Sequence, residues 1–171
     1  MVYPIVKYGQ PVLEAKAETV TDFESPELQK LLEDMFESMY AAKGVGLAAP
    51  QIGIGKRIAV IDTSAGEDHG DRVVLINPEV ISREGAQTSE EGCLSIPGFR
   101  ENVTRHNKVI VRAQNAKGEW FEMTGEGLLA RALLHETDHL DGTLYIMHVS
   151  PLKRDLIRRK IRKMQKLGEW G

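Results

Sequence analysis

The segment L-L-H-E-T-D-H-L-D-G, residues 133–142, constrains this chain more than any other. It places His135 and His139 four residues apart, with Glu136 directly after the first histidine. On a helix that spacing sets the two imidazoles one turn apart on the same face, about 6 Å between side-chain roots. Neutral imidazoles so placed can hold one divalent ion, and the glutamate on the adjoining face can take a proton from a water activated there. A catalytic metal site normally takes three protein ligands and leaves one position for solvent. The fold must therefore bring a third ligand to this helix from elsewhere.

Few residues qualify. A histidine six positions after His139 would complete one common pattern, but residue 145 is tyrosine. A downstream glutamate would complete another, but the only one after His139 is Glu169, close to the end of the sequence. The segment E-G-C-L-S-I-P-G (91–98) holds the sole cysteine, Cys93. Thiolate is a strong ligand for zinc or ferrous iron, and two imidazoles would complete an S1N2 set. A lone cysteine is otherwise a small buried hydrophobe. His69, His106 and His148 are alternatives, each in a polar setting that reads as surface.

Around this segment the chain reads as α+β. Ser25-Pro26 opens a helix, and Leu28, Leu31, Leu32, Met35 and Met39 recur at helical spacing up to Gly44. G-V-G-L-A-A-P-Q-I-G (44–53) reads as a loop, R-I-A-V-I-D as a buried strand, and S-A-G-E-D-H-G-D (64–71) as an exposed acidic loop. V-V-L-I-N-P reads as a strand ended by Pro78, and E-G-C-L-S-I-P-G as turn-rich. V-I-V-R-A and E-W-F-E-M read as a hairpin. Helical periodicity resumes near Glu126, with Leu128, Ala132, His135 and His139 on one stripe and Gly142 ending the helix. Ser150-Pro151 opens a last helix with Leu152, Leu156, Ile157, Ile161, Met164 and Leu167 along it. The expected architecture is antiparallel sheet around a central helix carrying the histidine pair, flanked by N- and C-terminal helices. No linker divides the chain, so residues 1–171 read as one domain.

Bulk properties exclude several roles. Net charge is −3, too small to imply nucleic acid or membrane as partner of the whole molecule. A single cysteine excludes an internal disulfide and fits a reducing compartment. No apolar run approaches the 18 or so residues of a membrane span, and the first residues lack the pattern of a secretory signal, so a cytoplasmic location is expected. Charge is unevenly spread. Residues 150–171 carry eight Lys/Arg against two Asp/Glu, which leaves −9 on the rest. The simple interpretation is a helix docked on the core with a solvated basic face; the functional one is a patch facing RNA.

Three segments, 44–53, E-G-C-L-S (91–95) and H-E-T-D-H-L-D-G (135–142), together resemble the three signature motifs of the peptide deformylases, in order and spacing. The resemblance runs over nearly the whole chain. It implies a metal-dependent hydrolase that removes the N-formyl group from the N-terminal formyl-methionine of nascent proteins, releasing formate. It further implies ferrous iron as the native cofactor, with zinc, nickel or cobalt as substitutes. Position by position, Cys93, His135 and His139 match the metal ligands and Glu136 the general base and acid. Gln51 and Leu94 match the groups that stabilise the oxyanion, Gly46 a substrate contact, and Arg100 a substrate-contacting arginine. Nascent chains emerge on ribosomes, so the resemblance makes ribosomal RNA a partner for the basic terminal helix. One departure is Leu134, where many members carry glutamine.

Overall fold

The computed structural model describes residues 1–67 and 71–170. The first helix, α1 (Pro26–Ala41), starts where its sequence signals it: the Ser25 side chain accepts a hydrogen bond from the Glu27 N–H, and Pro26 occupies the first turn. A five-stranded antiparallel sheet follows, ordered β1 (Gly46–Ala48), β2 (Ile58–Asp62), β3 (Arg72–Glu84), β6 (Lys108–Gln114) and β7 (Trp120–Glu126). Between β3 and β6 the chain makes a separate hairpin of β4 (Gln87–Cys93) and β5 (Ile96–Arg105). Helix α2 (Leu128–Leu140) comes next, then α3 (Pro151–Lys166).

Around β2 the sheet is covered on both faces, which explains why I-A-V-I-D is an unbroken apolar run, whereas β7 alternates exposed residues with partly or fully buried ones. Ala59 and Ile61 of β2 pack with Ala132, Leu133 and Leu140 of α2. Ile58 and Val60 point the other way, onto Leu32, Met35 and Met39 of α1. Helix α2 is thus pressed between the sheet on one side and the β4–β5 hairpin on the other, and its histidine-bearing face is trapped where the two meet. Gly142 follows α2 in the left-handed region (φ 79°), and a Cβ there would lie 2.6 Å from the Glu14 carbonyl oxygen, so glycine is required at this stop. Burying Ile157 and Ile161 among Ile96, Val103 and Tyr145 docks α3 on the hairpin.

Three expectations need correction. Strand β3 does not end at Pro78; it runs through to Glu84. Pro78 is tolerated because it sits in a bulge, where the β3–β6 register slips between Ile76 and Glu79 and Asn77 takes φ 53°, so no ladder bond is demanded of its missing N–H. The 44–53 segment is only partly loop, since Gly46–Ala48 pairs with β2 and Ala49–Ile52 forms a 3₁₀ turn. Residues 87–93, read in part as turn, form strand β4. Leu128 shares one face of α2 with Ala132 and His135, as expected, and is exposed at the mouth of a cleft. In α3, Ile157, Ile161 and Met164 turn inward, whereas Leu152, Leu156 and Leu167 are exposed. His106 is exposed, as is His148, which bonds Asp138; His69 lies outside the described residues.

Candidate metal centre and active-site cleft

A cleft of about 580 Å³ opens between residues 43–46, the β4–β5 hairpin and α2. At its floor the donor atoms of Cys93, His135 and His139 lie within 4.8 Å of one another. His135 Nε2 is 3.1 Å from His139 Nε2, and Cys93 Sγ is 3.4 Å from His139 Nε2. Atoms that share one tetrahedral ion stand about 3–4 Å apart. The third residue arrives because the end of β4 is carried across the face of α2.

The surroundings suit a cation. Burial, with His135 and Arg105 nearby, holds the His139 imidazole well below its ordinary pKa, so it is neutral, the form that binds metal. Its Nδ1 is buried with no hydrogen-bond partner among the described residues. Burial disfavours a charge on His135, yet Glu136, Cys93 and Glu91 crowd it with anionic character and drive its pKa well up. A divalent ion would relieve the same imbalance. Glu91 Oε1 lies 2.7 Å from His135 Nδ1, which fixes the ring and leaves Nε2 aimed at the cluster.

Glu136 lies on the next face of α2, 4% exposed, with Oε1 unpartnered among the described residues. Burial pushes its carboxyl up to about 7. A group with that pKa can both accept and return a proton near neutrality. Gly46 forms its seat: a Cβ on residue 46 would come within 2.5 Å of Glu136 Oε2. The bare backbone of β1 therefore touches the carboxylate directly, a role for Gly46 beyond the substrate contact expected from sequence. Gly46→Ala is expected to displace Glu136 and lower turnover by between about ten- and a hundredfold, because small misplacements at a reacting centre are costly. Unchanged kcat in a folded Gly46→Ala protein would show that this contact does not set the carboxylate.

Gln51 projects from the 3₁₀ turn after β1. Its Oε1 accepts from the Ala48 N–H at 3.0 Å, and its Nε2 points to Ser95 Oγ (3.3 Å) and Cys93 Sγ (3.5 Å). The amide is locked at one end, and its NH₂ is held beside the cysteine. Leu94 lines the cleft next to Cys93, with its side chain against Gly44. Arg100 stands at the mouth, exposed, its Nε 2.6 Å from Glu90 Oε1. All eight residues singled out from the sequence fall within this cleft or on its floor.

Sequence reading assigned no role to the charged network beneath. Glu91 is buried and accepts from Arg105 Nε (3.2 Å) and Nη2 (2.7 Å), and from Arg131 Nη1. Arg105 Nη1 also reaches Asp138 Oδ2 at 2.7 Å. Burial would raise the Glu91 carboxyl, but His135 and Arg105 outweigh it and hold it far below the usual carboxylate range.

The family model for polypeptide deformylase matches residues 2–155. The chain belongs to the polypeptide deformylase family. A peptide deformylase of Acidobacterium capsulatum is 64% identical over 170 residues, covering 99% of each chain. One of Thermodesulfovibrio yellowstonii is 51% identical, covering 92% of this chain and 95% of the relative. Among solved structures, a peptide deformylase from Legionella pneumophila superposes with a TM-score of 0.90 at 45% identity, covering 98% of both chains. The molecule is accordingly an enzyme of the deformylase class with the α+β architecture of its relatives.

Proposed function

We propose that this chain hydrolyses the N-formyl group of N-terminal formyl-methionine on nascent proteins, releasing formate, and that Cys93, His135 and His139 hold the metal it requires. The observation that carries this reading is the convergence of those three side chains beside the buried, unpaired Glu136 in one cleft. When bound, the divalent cation supplies a Lewis acid that polarises the formyl oxygen and brings the pKa of solvent toward neutrality. Glu136 accepts a proton from the attacking water and delivers it to the departing amine. Gln51 Nε2 and the Leu94 N–H donate to the oxyanion as the carbonyl becomes tetrahedral.

The cleft accommodates an extended peptide. Among the described residues strand β1 pairs only with β2 and β4 only with β5, so each presents its other edge, and both edges border the cleft. A formyl-methionyl chain can add to such edges through its own backbone. Gly46 and Arg100 would then contact it from opposite walls, with the methionine among Leu94, Ile96 and Leu128. Iron is the metal we assign, with zinc, nickel or cobalt as substitutes. We further infer that residues 1–171 act as one catalytic domain in the cytoplasm; no helix among the described residues is long and apolar enough to cross a membrane.

Formate release from formyl-Met peptides, measured on protein purified without oxygen and assayed for metal, tests the reading. Release is expected with about one ion per chain, and Cys93→Ser should bind metal more weakly or with altered preference. Failure to release formate would overturn the activity; full and unchanged metal affinity in Cys93→Ser would remove the cysteine from the ligand set.

Helix α3 supports ribosome contact through its exposed cations, among them Lys160, Arg162, Lys163 and Lys166. Deleting the helix would remove Ile157 and Ile161 and uncover Ile96, Val103 and Tyr145, on which they pack, so charge removal is the cleaner test. Changing those four residues to glutamine is expected to weaken ribosome binding and flatten its salt dependence. Binding that matches the parent protein at every salt concentration would eliminate α3 as the contact.

A further inference from the structure

Lys43 sits at the rim of the cleft in an unfavourable backbone conformation. It follows α1 with φ 60°, the left-handed position of a helix stop, where its N–H bonds the Tyr40 carbonyl and the next N–H bonds that of Met39. Glycine is the usual residue there, and a side chain in this region costs about 1–2 kcal/mol. The chain nevertheless keeps lysine, exposed and lining the cleft.

At the rim the other charged groups are paired, whereas Glu136, whose Oε1 is unpartnered among the described residues, lies at the floor. Arg100 is matched by Glu90 at 2.6 Å. Deeper in, Arg131 is tied to Glu91 and to the Val103 carbonyl. The Lys43 ammonium has no hydrogen-bond or ion-pair partner among the described residues, so it is the unmatched charge at the rim. Being a cation near the C-terminal end of α1 gives it a modest structural use, through the helix dipole. That use would not require the charge to face the substrate path.

We propose that Lys43 is a specificity-determining residue that favours nascent chains with acidic side chains in the positions just after formyl-methionine. The inference rests on the deformylase reading above. A peptide extended along the edge of β1 passes the backbone of residues 44–46, and Lys43 is the first cation along that wall. A carboxylate there gains a partner at the rim, and an ammonium meets a like charge. For a solvent-exposed pair the preference is modest, about two- to fivefold, and it fades as salt screens it.

The test uses formyl-Met peptides with Asp, Ala or Lys at the second and third positions. Their C-termini are amidated, so that no terminal carboxylate mimics the acidic side chain. At low salt the acidic peptides should show the higher kcat/KM, through KM, and the order should level out in about 0.5 M salt. Lys43→Gln should abolish the preference and Lys43→Glu should invert it. Lys43→Gly should also lose the preference while raising Tm, since glycine fits the left-handed site. A preference that survives in Lys43→Gln, or equal kcat/KM for acidic and basic peptides in the parent enzyme, would overturn the proposal without touching the deformylase reading. Absence of formate release from every peptide would overturn that reading, and the proposal with it.

Discussion

Replacing Glu136 with glutamine is expected to reduce formate release by roughly 10²–10⁴-fold, the usual contribution of a positioned acid–base group. The side chain is buried at the floor of the cleft against the bare backbone of Gly46, and glutamine nearly matches its shape. What glutamine cannot do is take up and return a proton. Removing a buried carboxylate that lacks a protein partner on Oε1 should not loosen the fold, so Tm is expected to hold or rise. Metal should still bind, because Cys93, His135 and His139 are untouched. The informative measurement is therefore paired: steady-state kinetics and metal content on the same preparation. A variant with full metal and near-parental kcat would mean that another group moves the proton. A variant inactive because it is metal-free would instead make Glu136 part of the ion's support.

How far the sequence revealed this centre depends on how local each signal is. The histidine pair and Glu136 are read from a five-residue pattern on one helix, and apolar residues at helical spacing located the three α-helices of the described residues. Cys93 is legible by elimination, since the sequence holds one cysteine and the other ligand patterns are incomplete. Gln51 and Leu94 became legible through the family resemblance alone. Their neighbours give no local clue that Gln51 is anchored on Ala48 and leans toward Cys93. Strand β4 went unread because Q-T-S-E-E-G-C lacks the alternating branched residues of a half-buried strand, and its one deeply buried side chain is an acid. Likewise Gly46–Ala48 is a strand only because β2 pairs with it, a tertiary effect that outweighs its glycine content. Electrostatic partners were the least visible of all. Glu91 meets Arg105 and Arg131 across 14 and 40 residues of chain, and no periodicity connects them.

That hidden network leads to the second large effect. Glu91→Leu is expected to destabilise the protein by about 3–5 kcal/mol, the usual cost of stranding buried charge. Glu91 joins three elements: β4, where it resides, β5 through Arg105, and α2 through Arg131 and His135. Leucine fills similar space but leaves Arg131 with only backbone acceptors, and Arg105 with Asp138 alone. It also frees the His135 ring to rotate, so metal affinity should drop about ten- to a hundredfold. Urea unfolding of metal-free protein isolates the stability term, and chelator competition reads the affinity. Glu91→Gln keeps one acceptor and should fall between the two, which guards against a leucine variant that fails to fold. The pH dependence has a definite sign. The carboxyl is depressed in the folded state from an ordinary value of 4.5. Its contribution is therefore complete above that value and is lost as pH falls toward the depressed one. The gap in stability between parent and Glu91→Leu should accordingly be constant from neutrality down to about 5 and narrow below it. A gap under about 1 kcal/mol at neutral pH would place the two arginines in the range of weak surface pairs, and would leave His135 oriented by something other than Glu91.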